Sequence, residues 1–187
     1  MNSSTDLTNQ FLIAMPSLQD MNFSQTVTYI CEHNEEGAMG IVVNRPTNLH
    51  LHDILEQLEI NDINLEAREE SIYIGGPVQP ERGFVLHHDD SSWDSTLKVT
   101  SELSVTTSRD ILESIAAGRG PDSHLVALGY AGWDSGQLEE EISANSWLNG
   151  PADTQIIFST PPELRWKAAA KLLGVDMDLI SGDAGHA

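Results

Sequence analysis

Two β-type stretches joined by a run of turn formers constrain this chain most. Gln25-Thr26-Val27-Thr28-Tyr29-Ile30-Cys31 is rich in β-branched and aromatic residues and mostly alternates, and Gly40-Ile41-Val42-Val43-Asn44 follows it. Such side chains fit a pleated, half-buried surface better than a helix. Between them, Asn34-Glu35-Glu36-Gly37 supplies a glycine for positive φ and an asparagine that bonds its own backbone. The two stretches predict an antiparallel hairpin. Arg45-Pro46 then takes the chain out of the sheet, since proline donates nothing to a ladder.

Further short apolar runs recur along the chain. Phe11–Met15 stops at Pro16 and reads as a buried strand. Ile72–Val78, bent at Gly75-Gly76-Pro77, and Gly83–His88 read as a second hairpin with a wide connection over Gln79–Arg82. Thr96–Thr100, Leu103–Thr107, Leu125–Gly129 and Gln155–Phe158 complete the strands.

Helical spacing falls between these runs. Leu51–Ile60 repeats at Leu51, Ile54, Leu55 and Leu58, with Asp53 suited to a first turn. Residues 61–70 read as an acidic connector. Arg109–Ala117 buries Ile111, Leu112 and Ile115, is capped by Thr107 with Asp110, and stops at Gly118. Gly136–Asn145 follows the capping pair Asp134/Ser135, and Asn149-Gly150-Pro151 breaks the chain. Thr160-Pro161-Pro162-Glu163 starts a last helix whose inner face is Leu164, Ala168, Leu172 and Leu173, ended by Gly174. Hairpins dominate and helices are interspersed irregularly. The expectation is one α+β domain over 1–187, with a bent, mainly antiparallel sheet. Residues 1–9 and 183–187 are expected to be flexible.

Charge narrows the function classes. The 187 residues carry 29 acidic and 9 basic side chains, a net charge of -20. Nucleic-acid affinity rests on clustered Lys and Arg, so direct binding to a duplex is disfavoured. No apolar run approaches the ~20 residues of a membrane helix, and Met1–Asp6 lacks the pattern of a secretory signal. The expected location is the cytoplasm. The single cysteine, Cys31, excludes an internal disulfide and reads as a buried strand residue.

No catalytic motif in the sequence names a reaction. There is no Gly-x-Ser-x-Gly elbow, no P-loop and no dinucleotide fingerprint. Two histidine groups, His50-x-His52 with Asp53 and His87-His88-Asp89-Asp90, have metal-ligand chemistry. Adjacent strand residues point to opposite faces, so His87 and His88 cannot share an ion on a regular strand. Neither a metal nor a cofactor is expected. Lys167 and Lys171, with Arg165, make a small basic face on the last helix, suited to an acidic partner.

One stretch concentrates glycines, aromatics and a helix start: Gly129-Tyr130-Ala131-Gly132-Trp133-Asp134-Ser135-Gly136-Gln137. With Asn44-Arg45-Pro46 and Gly75-Gly76-Pro77 it forms the candidate site. The expected ligand-binding residues are Asn44, Arg45, Gly75, Gly76, Tyr130, Trp133, Ser135 and Gln137. Arg45 would receive an anion, and free N–H groups at the glycines and the helix start would assist. Glu139–Glu141 oppose this by stabilising the same helix start themselves.

The segments Phe11–Pro16, Gly40–Pro46, Gly75–Val78, Gly129–Gln137 and Gly182–Ala187 extend over almost the whole chain. In their order and combination the sequence resembles the bacterial AlgH/YqgE family. The resemblance implies an α+β domain with a bent, bulged antiparallel sheet. It carries a transcriptional-regulator label but no catalytic residues to transfer. The functional expectation is therefore a cytosolic, non-enzymatic binding or regulatory protein, monomeric or weakly dimeric. Its partner would be a protein or a small anionic ligand. An enzyme acting on an anionic or nucleotide-like molecule and a direct DNA-binding regulator are the alternatives.

Overall fold

A computed structural model of the protein describes residues 6–88 and 93–183, with side chains described to 180. In chain order the first elements are β1 (Gln10–Ala14), β2 (Val27–Asn34), β3 (Gly37–Val42), β4 (Pro46–His50), α1 (Leu51–Gln57) and α2 (Leu65–Arg68). Then come β5 (Ser71–Ile74), β6 (Val78–His88), β7 (Thr96–Lys98), β8 (Leu103–Thr106) and α3 (Arg109–Ala116). β9 (His124–Asp134), α4 (Gln137–Ser143), β10 (Trp147–Pro151) and α5 (Thr154–Phe158) follow. A 3-10 turn at Pro162–Leu164 leads into α6 (Arg165–Leu172), and α7 (Met177–Asp183) ends the described chain. The class is α+β, and among the described residues all strand pairs but one are antiparallel.

The chain forms two compact units. The first comprises residues up to Asn44 and from Ala131 onward. Its ladder runs β10-β1-β2-β3, and the end of β9 pairs with β3 through Ala131–Asp134. The expected first hairpin is present, with a bulge between Ile30 and Glu32. Leu12, Ala14, Ile30, Ala131, Trp133, Leu138 and Trp147 pack its core. The buried Arg165 donates to the carbonyls of Thr160 and Val43, and Trp166 Nε1 donates to Ala14 O at 2.8 Å.

The second unit is Arg45–Tyr130. Here β9 pairs antiparallel with β6, β6 with β8, and β8 with β7. β5 lies parallel to β9 and antiparallel to β4. Leu51, Leu55, Ile72, Val85, Ile111, Ile115 and Val126 bring α1 and α3 onto these strands.

Several sequence expectations need correction. Pro46 does not end the pairing; it is the first residue of β4, where its missing N–H removes no ladder bond. Ile72–Val78 and Gly83–His88 do not form a hairpin. β5 pairs with β4 and β9, and β6 extends through Gln79–Arg82 to pair with β9 and β8. The connector 61–70 contains the short helix α2, capped by Asn64. Helix α3 follows Ser108, not Thr107. The strand expected to stop at Gly129 runs on to Asp134, and Gly136 in the left-handed region precedes α4 instead of an Asp134/Ser135 cap.

Three corrections fall near the C-terminus. Asn149-Gly150-Pro151 lies within β10, paired to β1. Gln155–Phe158 is helical, because Asp153 caps it by accepting from Gln155 N at 2.8 Å; an apolar run as short as Ile156-Ile157-Phe158 has no period of its own. In α6 the buried face is Arg165, Trp166, Ala169 and Ala170, while Leu164 and Leu172 are 52% and 53% exposed. Its alanine-rich pattern left the inward face undetermined. Of the residues expected to be flexible, 1–5 and 184–187 lie outside the described residues. Leu7 is buried, and its N–H donates to His33 Nδ1 at 3.0 Å.

Candidate functional site

The sequence-predicted residues divide between the two units. Asn44, Trp133, Ser135 and Gln137 belong to the first; Arg45, Gly75, Gly76 and Tyr130 belong to the second. In the first, each polar group has an intramolecular partner. Asn44 accepts from Val27 N and donates to Gln25 O, both at 2.9 Å. Ser135 donates to Glu35 O, and Gln137 accepts from Asp134 N at 3.0 Å. Trp133 is buried, edge-on to Trp147 at 6.1 Å. Both indole N–H groups donate to Glu141 Oε1, at 3.2 and 3.1 Å, while Gln137 Nε2 donates to Oε2. One carboxylate thereby clamps two tryptophans under α4.

In the second unit the chain at Arg45 meets the glycine bend through Ile74 N, which donates to Arg45 O at 2.9 Å. The amide of Gly75 donates to Leu128 O at 2.8 Å. Gly129 has φ +76° within β9, and a Cβ there would lie 2.3 Å from Gly76 O. Gly129 is therefore small so that its backbone can touch that of Gly76. Tyr130 packs edge-on to Phe84 at 5.5 Å.

A cleft absent from the sequence expectations lies in the second unit. It encloses about 170 Å³ and is partly open to solvent. Its apolar wall comes from α1 (Ile54, Leu58), α3 (Leu112) and the sheet (Val85, Val126, Leu128). One end is polar: Thr107, Ser108 and Arg109 at the start of α3. Arg82 reaches that end, donating to Thr107 Oγ1 at 3.4 Å and to Gln79 Oε1 at 3.3 Å, with its guanidinium 5.6 Å over the Phe84 ring. Among the described residues Arg82 has no carboxylate partner, which is unusual in a chain of charge -20. Arg109 is held by Glu113 at 2.8 Å. The hydrophobic repeat of α1 and α3 was legible in sequence, but the gap between them was not.

Beside the cleft runs a buried polar chain. His87 Nδ1 lies 2.8 Å from His88 O, and a carbonyl only accepts, so the ring proton sits on Nδ1. Nε2 then accepts from the Thr106 hydroxyl at 2.7 Å, and Thr96 Oγ1 lies 2.8 Å beyond. Thr106 also lines the cleft. Of the four-residue group His87-His88-Asp89-Asp90, the two aspartates lie outside the described residues. Cys31 is fully buried and its thiol is pushed well up, first by burial and then by the charge of Glu32, so it is held protonated.

Fold and cleft define a class: an α+β protein with a mainly antiparallel, bulged sheet and no motif tying it to a known reaction. The comparisons with known proteins agree. A model of the AlgH-like family matches residues 11–178, and the chain belongs to that family. A UPF0301 protein of Thioalkalivibrio sulfidiphilus is 58% identical over 187 residues, covering all of both chains. The UPF0301 protein AlgH of Pseudomonas aeruginosa is 54% identical over 186 residues, covering 99% of this chain and 98% of that one. The solution structure of AlgH from P. aeruginosa superposes with a TM-score of 0.81 at 53% identity, covering 100% and 99% of the two chains. A crystal structure from Corynebacterium diphtheriae shares the fold at a TM-score of 0.74 and 19% identity, covering 97% and 94%. The names of these relatives assign the family no activity. Among the described residues no helix is long and apolar enough to cross a membrane.

Proposed function

We propose that the protein is a cytoplasmic, non-enzymatic binding protein, monomeric or weakly dimeric, whose ligand is a small molecule with an apolar body and an anionic end. The cleft of the second unit carries this reading. Its volume of about 170 Å³ is below the ~300–1,000 Å³ of drug-sized sites, so the ligand is small. Its aliphatic wall suits a short hydrocarbon chain or ring. Arg82 and the Thr107 hydroxyl suit a carboxylate or phosphate. The test is a panel of short aliphatic and aromatic carboxylates and phosphate monoesters, followed by NMR shift perturbation. Shifts at Thr107, Ser108 and Leu112, weakened about tenfold or more in Arg82→Gln and abolished by Leu112→Trp, support the reading. Shifts that leave these residues unmoved refute it.

One observation favours a second reading, an enzyme acting on an anionic small molecule. His87 Nε2 faces the Thr106 hydroxyl as an acceptor, the arrangement a base needs to activate an alcohol. Turnover of an activated ester that survives in the wild type and vanishes in both His87→Gln and Thr106→Val would favour the enzyme over the binding protein.

A further inference from the structure

At the junction of β4 and α1, His50 and His52 present their rings on one side of the chain. The rings are stacked, with centroids 5.8 Å apart and planes inclined by 6°. The buried face of α1 is Leu51 and Leu55, so His52, Asp53 and Glu56 share its outer face, one turn apart. One ligand atom from each of His50, His52 and Asp53 lies within 4.8 Å of the others. Asp53 uses Oδ2 to accept from His50 N at 2.9 Å, which fixes its carboxylate and turns Oδ1 toward His52. His52 Nδ1 sits 3.5 Å from that Oδ1 and 3.9 Å from Glu56 Oε1. Both distances are beyond a hydrogen bond, and this nitrogen is shielded from solvent with no hydrogen-bond partner. A shielded ring nitrogen facing two carboxylates without bonding either is the observation that calls for a ligand.

We propose that His50, His52, Asp53 and Glu56 form a binding site for a first-row divalent cation of the zinc type. Two imidazole nitrogens with one or two carboxylate oxygens suit Zn²⁺, Co²⁺ or Ni²⁺, whereas Mg²⁺ and Ca²⁺ select oxygen alone. Zinc holds such ligands at ~2.0–2.2 Å, which sets them about 3.4 Å apart in a tetrahedron. The present spacing closes by rotation of His52 and Glu56 toward the fixed Asp53 carboxylate. Partial exposure leaves that freedom: the side chains of His52 and Glu56 are 25% and 62% exposed. The positive end of α1 opposes a cation, so the side chains alone carry the site. The site is independent of the cleft reading.

The full chain is titrated with Co²⁺ in the presence of excess Mg²⁺, which occupies diffuse acidic surface. The expected result is saturation at one equivalent with visible d–d bands of tetrahedral intensity, reversed by Zn²⁺. His52→Gln, which leaves the cap intact, and His50→Gln each weaken binding at least tenfold, while His88→Gln does not. Circular dichroism confirms that the variants are folded. Absence of the bands, displacement by Mg²⁺, or bands undiminished in both His50→Gln and His52→Gln would overturn the site.

Discussion

At the scale of single residues, two side chains in this protein carry more than their own contacts. Glu141 accepts two buried indole N–H groups on one oxygen and an amide on the other. Glu141→Ala leaves both indoles unpartnered, which costs about 2–4 kcal/mol. Glu141→Gln keeps an acceptor oxygen and costs less; urea unfolding followed by tryptophan fluorescence orders the two. His124 faces an acceptor on each side, Pro121 O at 2.8 Å through Nδ1 and Glu70 Oε2 at 2.6 Å through Nε2. Burial alone would depress its pKa, but the hydrogen bond and charge of Glu70 with the Pro121 carbonyl outweigh it, and the pKa is raised from 6.5. A raised value means that the fold favours the imidazolium. That stabilisation is full below pH ~6.5 and is lost as pH rises through the folded value. Wild-type stability should therefore fall over the window just above pH 6.5, and His124→Gln should flatten that slope. A parallel pH dependence in the variant would reject the assignment.

At the scale of elements, β9 decides more than any other strand. It takes part in the ladders of both units, and its residue Gly129 breaks the extended conformation in the middle. Gly129→Ala would meet the Gly76 and Val78 carbonyls at 2.3 and 3.1 Å and would hold alanine at positive φ. The expected loss is about 2–4 kcal/mol, read by thermal unfolding, with weakened hydrogen-exchange protection across β5 and β6. Gly136→Ala is the comparison. It shares the positive φ with nothing near its Cβ, so it should lose only the conformational part, about 1 kcal/mol. Equal losses at the two positions would show that close backbone approach at Gly129 contributes nothing.

At the scale of the whole molecule, charge is the dominant property. A net charge of -20 with nine basic residues repels a polyanion at any distance that counterions leave unscreened. Mobility-shift measurements on duplex DNA at low salt, where phosphate contacts are strongest, should give no complex. A salt-sensitive complex there would revive direct DNA binding and require a basic patch in spite of the total.

The sequence by itself determined the properties that are local or additive. The hairpin of β2 and β3 follows from β-branched alternation around Asn34–Gly37, and α1 and α3 follow from their apolar repeat. The charge, the burial of Cys31 and the family are equally legible, because each is carried by residue identity or short motifs. Tertiary structure decided which strands pair, since β5 finds β4 and β9 rather than its neighbour β6. It also made Gln155–Phe158 a helix and turned α6 to bury Trp166, where local pattern was silent. The same holds for the sites. Conspicuous motif residues such as Gly129 and Trp133 are held by contacts from distant sequence, while Arg82 meets Thr107 and the helices leave a cleft only after the chain has folded. The physical reason is range. Propensity and capping act over a few residues, whereas pairing partners, cavities and converging ligands depend on packing between segments far apart in the chain.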